Sequence, residues 1–200
     1  MKVEIRSDSV EIEGYVNAVG RESRPLRDAD GYFTEIVEPG TFARALRRGK
    51  RNMLLDHDSE RVIGKEGENL TLSEDNIGLH ARATVTDPEV IEKARRGELR
   101  GWSFGFRALK QRKEERDGMP LRTLQEIDLV EVSLIDDKML PAYAATSVYT
   151  RSADGDEVET RAMDGETVTV EVADEPDNGQ KRGEIDYQPY FDRIKALRGE

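Results

Sequence analysis

The sequence predicts an α+β fold that is mainly β, in which short strands form a closed or partly closed barrel with a few helices against it. Three observations lead to this class. The chain has 200 residues, the length of one domain of ordinary size with room for an appendage. Runs of alternating apolar and polar residues, typical of strands with one buried face, dominate its first three quarters. Only two segments of that part carry helix signals, and so many short strands favour closure into a barrel.

The strand and helix signals lie within residues 1–150. The first predicted helix, 41–48, follows a Pro-Gly pair and has Thr41 as its N-cap. The second, 87–96, opens with an aspartate cap and a proline, and a glycine ends it. The predicted strands are 10–16, 70–72, 78–85, a strand that continues from Phe104, and 128–135.

The last fifty residues differ from the rest in charge. Residues 151–200 hold 14 acidic and 7 basic side chains, so they supply most of the formal net charge of -11. Their composition is typical of a linker or a weakly folded segment, except for a short alternation ending at Val172 and for apolar spacing that fits one amphipathic helix over 187–198. We therefore expect a domain at 1–150 and an acidic extension at 151–200.

Composition excludes several classes of protein. The chain has no cysteine, which rules out a disulfide scaffold, a thiolate metal site and a cysteine nucleophile, and its two histidines leave little for a zinc site. We expect no metal and no cofactor. The surplus of acidic side chains works against nucleic-acid binding, because Lys and Arg supply phosphate contacts. No stretch is apolar enough for a membrane span or a signal peptide, so we expect no membrane association and a cytoplasmic protein.

Ser103 and His57 are the first candidates for chemistry. Ser103 lies in Gly-Trp-Ser-Phe-Gly, a pattern in which a serine stands on a tight turn, although the same pattern often marks a plain turn or bulge. The strand-like continuation argues against the elbow of an α/β-hydrolase. His57 ends an apolar run between Asp56 and Asp58, where it is either a base or a surface residue. For His80, inside an alternating strand, we expect a solvated or packing role.

Glu131 is the third candidate, because it interrupts one of the most apolar runs of the chain. Strand alternation sets Glu131 and Ser133 on one face of that run. Either this face is wet, or the carboxylate has a partner, such as the imidazole of a histidine base whose tautomer it fixes. With His57 and Ser103, it would complete a set of base, nucleophile and orienting group, and no chain order forbids such a set.

Six blocks of this sequence, taken in order, resemble the prohead maturation proteases of tailed phages, the caudoviruses. The resemblance covers roughly residues 10–150 and includes all three candidate residues. The blocks are 13–17, 31–42, 55–58 with 62–64, 75–79, 101–106, and 129–135 leading to 141–143. The sequence departs from the family's pattern at one point, where residues 136–140 are inserted between the run 129–135 and the Pro-Ala-Tyr segment at 141–143.

The resemblance implies a serine endopeptidase that acts inside the immature capsid, the prohead, in the cytoplasm of the host bacterium. Its substrates would be the scaffold protein or the scaffolding arm of the major capsid protein, which it would trim during capsid maturation. It also implies the fold of the herpesvirus assembly protease, a β-barrel surrounded by helices, and suggests a homodimer.

Carried over residue by residue, the resemblance makes His57 the general base, Ser103 the nucleophile and Glu131 the third member. The herpesvirus relatives have a second histidine in the third position, whereas this chain has no histidine after Ser103. Asp56 and Asp58 therefore stay open as alternatives to Glu131.

Three other hypotheses remain open. A catalytically inactive factor of the same fold could bind capsid or scaffold without cutting it, and an unrelated esterase could use the Gly-Trp-Ser-Phe-Gly turn. The acidic extension 151–200 is either a packaging or scaffold-binding segment that self-cleavage removes, or an ordinary disordered tail.

Overall fold

The computed structural model describes residues 1–28, 30–116, 118–137, 148–151, 157–162 and 169–172. In this part of the chain the fold is mainly β with two helices, as predicted, and the strands form one sheet of five and one of eight. The elements in chain order are β1 (Lys2–Ile5), β2 (Val10–Ala18), β3 (Leu26–Asp28), β4 (Gly31–Val37), α1 (Thr41–Leu46), β5 (Asn52–Leu55), β6 (Asp58–Lys65), β7 (Leu70–Glu74), β8 (Gly78–Val85), α2 (Pro88–Arg95), β9 (Gly101–Arg116), β10 (Met119–Ile135), β11 (Val148–Arg151), β12 (Glu157–Ala162) and β13 (Thr169–Val172).

The five-stranded sheet has the order β13-β1-β2-β8-β7. Strands β2, β8 and β7 of this sheet alternate between buried and more exposed side chains, as the sequence pattern predicted. The predicted alternation ending at Val172 is β13, which pairs in parallel with β1. The helix expected over 187–198 lies outside the described residues.

The eight-stranded sheet is organised around β10. This strand pairs with β9 along almost its whole length, and on its other edge it pairs in parallel first with β4 and then with β5. Strand β6 extends the sheet from β5, and β12 and β11 extend it from β9. The serine strand β9 and the histidine-bearing end of β5 thus lie on opposite edges of the same stretch of β10.

Aromatic side chains of β9 fill the centre of the core. Trp102, Phe104 and Phe106 alternate with Ser103 along the strand and are all fully buried. The ring of Phe104 stacks on that of Phe106 at a centroid distance of 5.3 Å and meets Phe42 of α1 edge-on at 5.2 Å. This packing fixes the strand that carries Ser103.

The helices match their predicted positions with one correction. Helix α2 has Asp87 as its N-cap, whose carboxylate accepts the backbone N–H groups of Glu89 and Val90, as predicted. For α1 the predicted cap was wrong: Gly40, with φ of 83°, is the N-cap, and Thr41 is the first helical residue. The Thr41 hydroxyl donates instead to backbone carbonyl oxygens of β10.

Candidate active site

A tight turn presents His57. Strands β5 and β6 pair at Leu55 and Asp58, so that only Asp56 and His57 lie between them, with φ angles of 54° and 60°. Positive φ at both central residues is the requirement of a type I′ hairpin turn, and aspartate and histidine adopt it more readily than bulkier residues do. The backbone N–H of Asp56 donates to Leu134 O of β10 at 2.9 Å, which anchors the turn on the sheet.

Ser103 lies inside strand β9 and not on a strand-to-helix turn. It pairs with Ser133 of β10, and the residue is only 1% exposed. The strand continues to Arg116, so the continuation expected after Phe104 is confirmed. The α/β-hydrolase elbow that its motif could have indicated is therefore absent here.

His57 bridges the other two candidates. Its Nε2 lies 2.8 Å from Ser103 Oγ, and its Nδ1 lies 2.7 Å from Glu131 Oε1. These residues are 46 and 74 positions away along the chain, and the side chains of His57 and Glu131 are each 9% exposed. When Nδ1 carries the proton of the neutral ring and donates a hydrogen bond to the carboxylate, Nε2 has a lone pair that can accept the hydrogen bond of the Ser103 hydroxyl.

Ser133 completes the arrangement, although sequence reasoning gave it no role. Its hydroxyl donates to Glu131 Oε2 at 2.5 Å, and Ser133 Oγ itself accepts the backbone N–H of His57 at 3.2 Å. One fully buried hydroxyl thus holds both the carboxylate and the histidine turn. The predicted strand alternation, which put Glu131 and Ser133 on one face, was the signal that could have identified it.

The carboxylates of Asp56 and Asp58, the two alternatives to Glu131, form hydrogen bonds with backbone groups away from the His57 ring. Asp56 Oδ1 accepts the backbone N–H of Asp136 at 2.8 Å. Asp58 is exposed, and its Oδ1 accepts the backbone N–H of Glu60 at 2.9 Å. Neither contact involves the ring of His57, whereas Glu131 contacts it directly.

The turn of Asp56 and His57 is held on its Asp56 side by two further charged residues, Asp136 and Lys93. Asp136 is completely buried, and its Oδ2 lies 2.6 Å from Lys93 Nζ of α2. Burial, together with the neighbouring charge of Asp136, raises the pKa of the Asp56 carboxyl. The hydrogen bond that the Lys93 ammonium donates to Asp136 raises the pKa of Lys93.

His80 lies apart from this site, on β8. Its Nε2 is 3.3 Å from Glu13 Oε1, and its ring meets that of Tyr15 edge-on at a centroid distance of 5.0 Å. These contacts fit the solvated or packing role expected from the sequence.

The described residues show neither a cluster of metal-binding side chains nor a membrane-spanning helix. They contain no group of three or more His, Cys, Asp or Glu side chains placed to hold a metal ion. None of their helices has both the length and the apolar character needed to cross a membrane.

Comparison with models of protein families identifies a relationship. The family model of the caudovirus prohead serine proteases matches residues 1–161, which contain all of the side chains described above. No curated protein and no solved structure matches the chain.

Proposed function

Since the chain belongs to the caudovirus prohead serine proteases and is therefore a peptidase, we propose that Ser103 is its nucleophile, His57 its general base and Glu131 the third member of its triad. The observation that carries the proposal is the position of His57, which bonds Ser103 through one ring nitrogen and Glu131 through the other. Acyl transfer by a serine requires that the nucleophile be hydrogen-bonded to a base and that a third group hydrogen-bond to this base and orient it.

The geometry gives each side chain one task. Ser103 is a weak nucleophile by itself, so His57 Nε2 takes its proton as Ser103 Oγ attacks the scissile carbonyl carbon. His57 later donates that proton to the leaving amine. Glu131 accepts from Nδ1, keeps the ring in the productive tautomer and stabilises the imidazolium. Ser133 acts through Glu131 and the His57 backbone and is a positioning residue.

The proposed substrates are the scaffold protein or the scaffolding arm of the major capsid protein, cleaved inside the prohead in the host bacterium during capsid maturation. Family membership supports this class of substrate. The acidic extension 151–200 is a further proposed substrate, removed by self-cleavage. A homodimer is also part of the proposal.

A fold like that of the herpesvirus assembly protease, closed or partly closed into a barrel, belongs to the same proposal. Two observations support it. Strand β10 brings the turn of His57 and the strand of Ser103 together, and along the chain the base comes first, the nucleophile second and the third member last. The domain boundary near residue 150 likewise stays a prediction.

The test uses the purified protein with scaffold or major capsid protein from the same phage. Mass spectrometry should find defined fragments with the wild type and none with Ser103→Ala, while circular dichroism shows the same fold for both. Ser73→Ala, at an exposed serine of β7, is the matched control and should cleave normally. Fragments made equally well by Ser103→Ala would contradict the proposal, and no cleavage by any variant would favour the inactive assembly factor.

A further inference from the structure

Lys93 is buried on helix α2, although lysine is among the residue types that are almost never fully buried unless they are paired. The residue is 6% exposed, and its Nζ lies 2.6 Å from Oδ2 of Asp136, which is completely buried. The hydrogen bond to Asp136 outweighs the effect of burial and raises the pKa of Lys93, so the ammonium stays charged at neutral pH. Well-packed apolar residues often stabilise a fold as well as a buried ion pair does, so stability alone does not account for this pair.

From Asp136 the contacts lead to the histidine turn. The backbone N–H of Asp136, which directly follows β10, donates to Asp56 Oδ1 at 2.8 Å, and the backbone N–H of Asp56 donates to Leu134 O at 2.9 Å. Asp56 is thereby bonded to the end of β10 through both its side chain and its backbone, and the next residue is His57. Because Lys93 fixes the position of Asp136, it acts on the turn from two contacts away.

Helix α2 also contacts the second strand of the histidine hairpin. Arg61 of β6 donates to Glu89 Oε2 at 2.6 Å, and Glu89 Oε1 lies 3.6 Å from Lys93 Nζ, one helical turn later. The side chains of Arg61 and Glu89 are 35% and 43% exposed, so solvent weakens this ion pair, whereas the pair of Lys93 and Asp136 is shielded. The helix thus holds the hairpin at two points, and the stronger contact is the one nearest to His57.

The geometry of the turn makes this support matter for catalysis. Asp56 and His57 both have positive φ, a conformation that residues other than glycine keep only where the surrounding structure holds them in it. From this backbone the His57 ring must meet Ser103 Oγ at 2.8 Å and Glu131 Oε1 at 2.7 Å at the same time. A displacement of about 1 Å in such a group can lower a reaction rate roughly hundred-fold, so the contacts of Asp56 bear on the rate as well as on stability.

We propose that Lys93 is a positioning residue for the general base, and that helix α2, through Lys93 and Asp136, holds the turn of His57 in the conformation that catalysis requires. The inference rests on the proposed function and extends it to residues that contact neither the substrate nor the reacting atoms. Since Lys93 acts through Asp136 and Asp56, its loss lowers kcat and leaves KM nearly constant. A purely structural ion pair would change the stability of the fold and not the rate of the folded enzyme.

The first test removes both charges at once, in the double variant Lys93→Met with Asp136→Asn. Loss of one partner alone would leave a buried charge unpaired and destabilise the protein, whereas loss of both is often neutral for stability. Circular dichroism should therefore show the wild-type fold. For whichever of the scaffold and the major capsid protein the wild type cleaves, kcat should fall about five-fold or more at nearly constant KM.

The matched control is the double variant Glu92→Gln with Arg96→Met, which removes an exposed ion pair from the end of the same helix and should keep the wild-type kcat. A fluorophosphonate that labels serine nucleophiles is applied to all of these proteins. If the Lys93 and Asp136 double variant cleaves at the wild-type kcat, or loses activity only through KM, while Ser103 is labelled, the inference is overturned and the proposed function stands. If Ser103 of the wild type is neither labelled nor needed for cleavage, the proposed function fails and the inference with it.

The second test changes the turn itself and decides the question even where the double variant does not fold. Asp56→Asn keeps an oxygen that can accept the Asp136 N–H and adopts positive φ readily, whereas Asp56→Gly adopts positive φ without strain but has no acceptor. The kcat of Asp56→Asn should therefore exceed that of Asp56→Gly by about five-fold or more.

Proton NMR follows the His57 ring in the same two variants. The resonance of the Nδ1 proton that is hydrogen-bonded to Glu131 should be sharp in Asp56→Asn and broadened or absent in Asp56→Gly. Equal kcat values in the two variants, or the same resonance in both, would overturn the inference.

Discussion

The hydroxyl of Ser133 donates to Glu131 Oε2 at 2.5 Å, on the side of the carboxylate that His57 does not use. Replacing Ser133 with alanine removes this bond and the acceptor of the His57 backbone N–H together. A hydrogen bond to a charged group is worth about 1.5–3 kcal/mol, so we expect kcat to fall roughly ten-fold or more. KM should stay nearly constant, because Ser133 acts through the triad and not on the substrate.

Steady-state cleavage of a peptide substrate checks this prediction. Ser133→Thr keeps the hydroxyl and should retain more activity than Ser133→Ala. If the side chain only filled volume, the hydroxyl of the threonine would give no such advantage. Ser73→Ala again serves as the control. A rise in KM at constant kcat would contradict the positioning role.

Glu131→Gln should be less damaging than Ser103→Ala. The amide can occupy the place of the carboxylate and keep the Ser133 contact, but it no longer stabilises the imidazolium of His57, whereas loss of the nucleophile ends acyl transfer. Single-turnover rates of the two variants measure the difference. Full activity of Glu131→Gln would move the third role to Asp56 or Asp58.

The strands around the site could be predicted because each carries its own alternation. The runs that include Glu131 and the segment after Phe104 are strands, and the two helices lie where their caps and spacing put them. Thr41 misled the prediction because a threonine after glycine fits an N-cap, while in the fold its hydroxyl bonds to β10. That contact joins residues more than 80 positions apart, which no local pattern encodes.

The candidate site was only partly visible for the same reason. The turn at Asp56 and His57 lacks the Asn-Gly or Asp-Gly signal of a type I′ hairpin, so the sequence indicated a strand end but not the turn. The strand alternation put Ser133 beside Glu131 but did not indicate its contact with the His57 turn, and Lys93 gave no signal, since both roles depend on which strands and helix the fold places together. The pairing of β12 with β9 depends on long-range register in the same way.

Asp56→Asn should stabilise the fold near neutral pH. Burial raises the pKa of Asp56, so the folded state holds its proton at pH values where the unfolded chain, with an aspartate pKa of about 3.9, has released it. The stability from this proton is present at low pH and is lost as pH rises through the folded pKa. The uncharged amide avoids that loss, so the gain in Tm over the wild type should shrink as pH falls towards about 4.

Thermal unfolding of both proteins across pH measures this difference. Asp58→Asn changes an exposed carboxylate of the same hairpin and should show no such pH-dependent gain. A lower Tm for Asp56→Asn at neutral pH, or a gain that grows on acidification, would argue against the stated cause.

Gly78→Ala should destabilise the protein by about 3 kcal/mol or more, because a Cβ atom at Gly78 would lie 1.9 Å from Asn17 O, across the irregular pairing of β2 and β8. Gly97→Ala meets no atom within 4 Å and carries only the strain of a φ of 67°, about 1–2 kcal/mol. Urea unfolding compares the two. Equal losses would show that the strand pairing can open to admit a methyl group.

The role of Ser103 as a nucleophile activated by His57 is tested by the site and rate of fluorophosphonate labelling, read by peptide mapping of the intact protein. We expect a covalent adduct on Ser103 that forms at least a hundred-fold more slowly in His57→Ala, since the ring that hydrogen-bonds to the hydroxyl is then missing. An adduct on a different serine, or labelling of Ser103 at the same rate without His57, would contradict it.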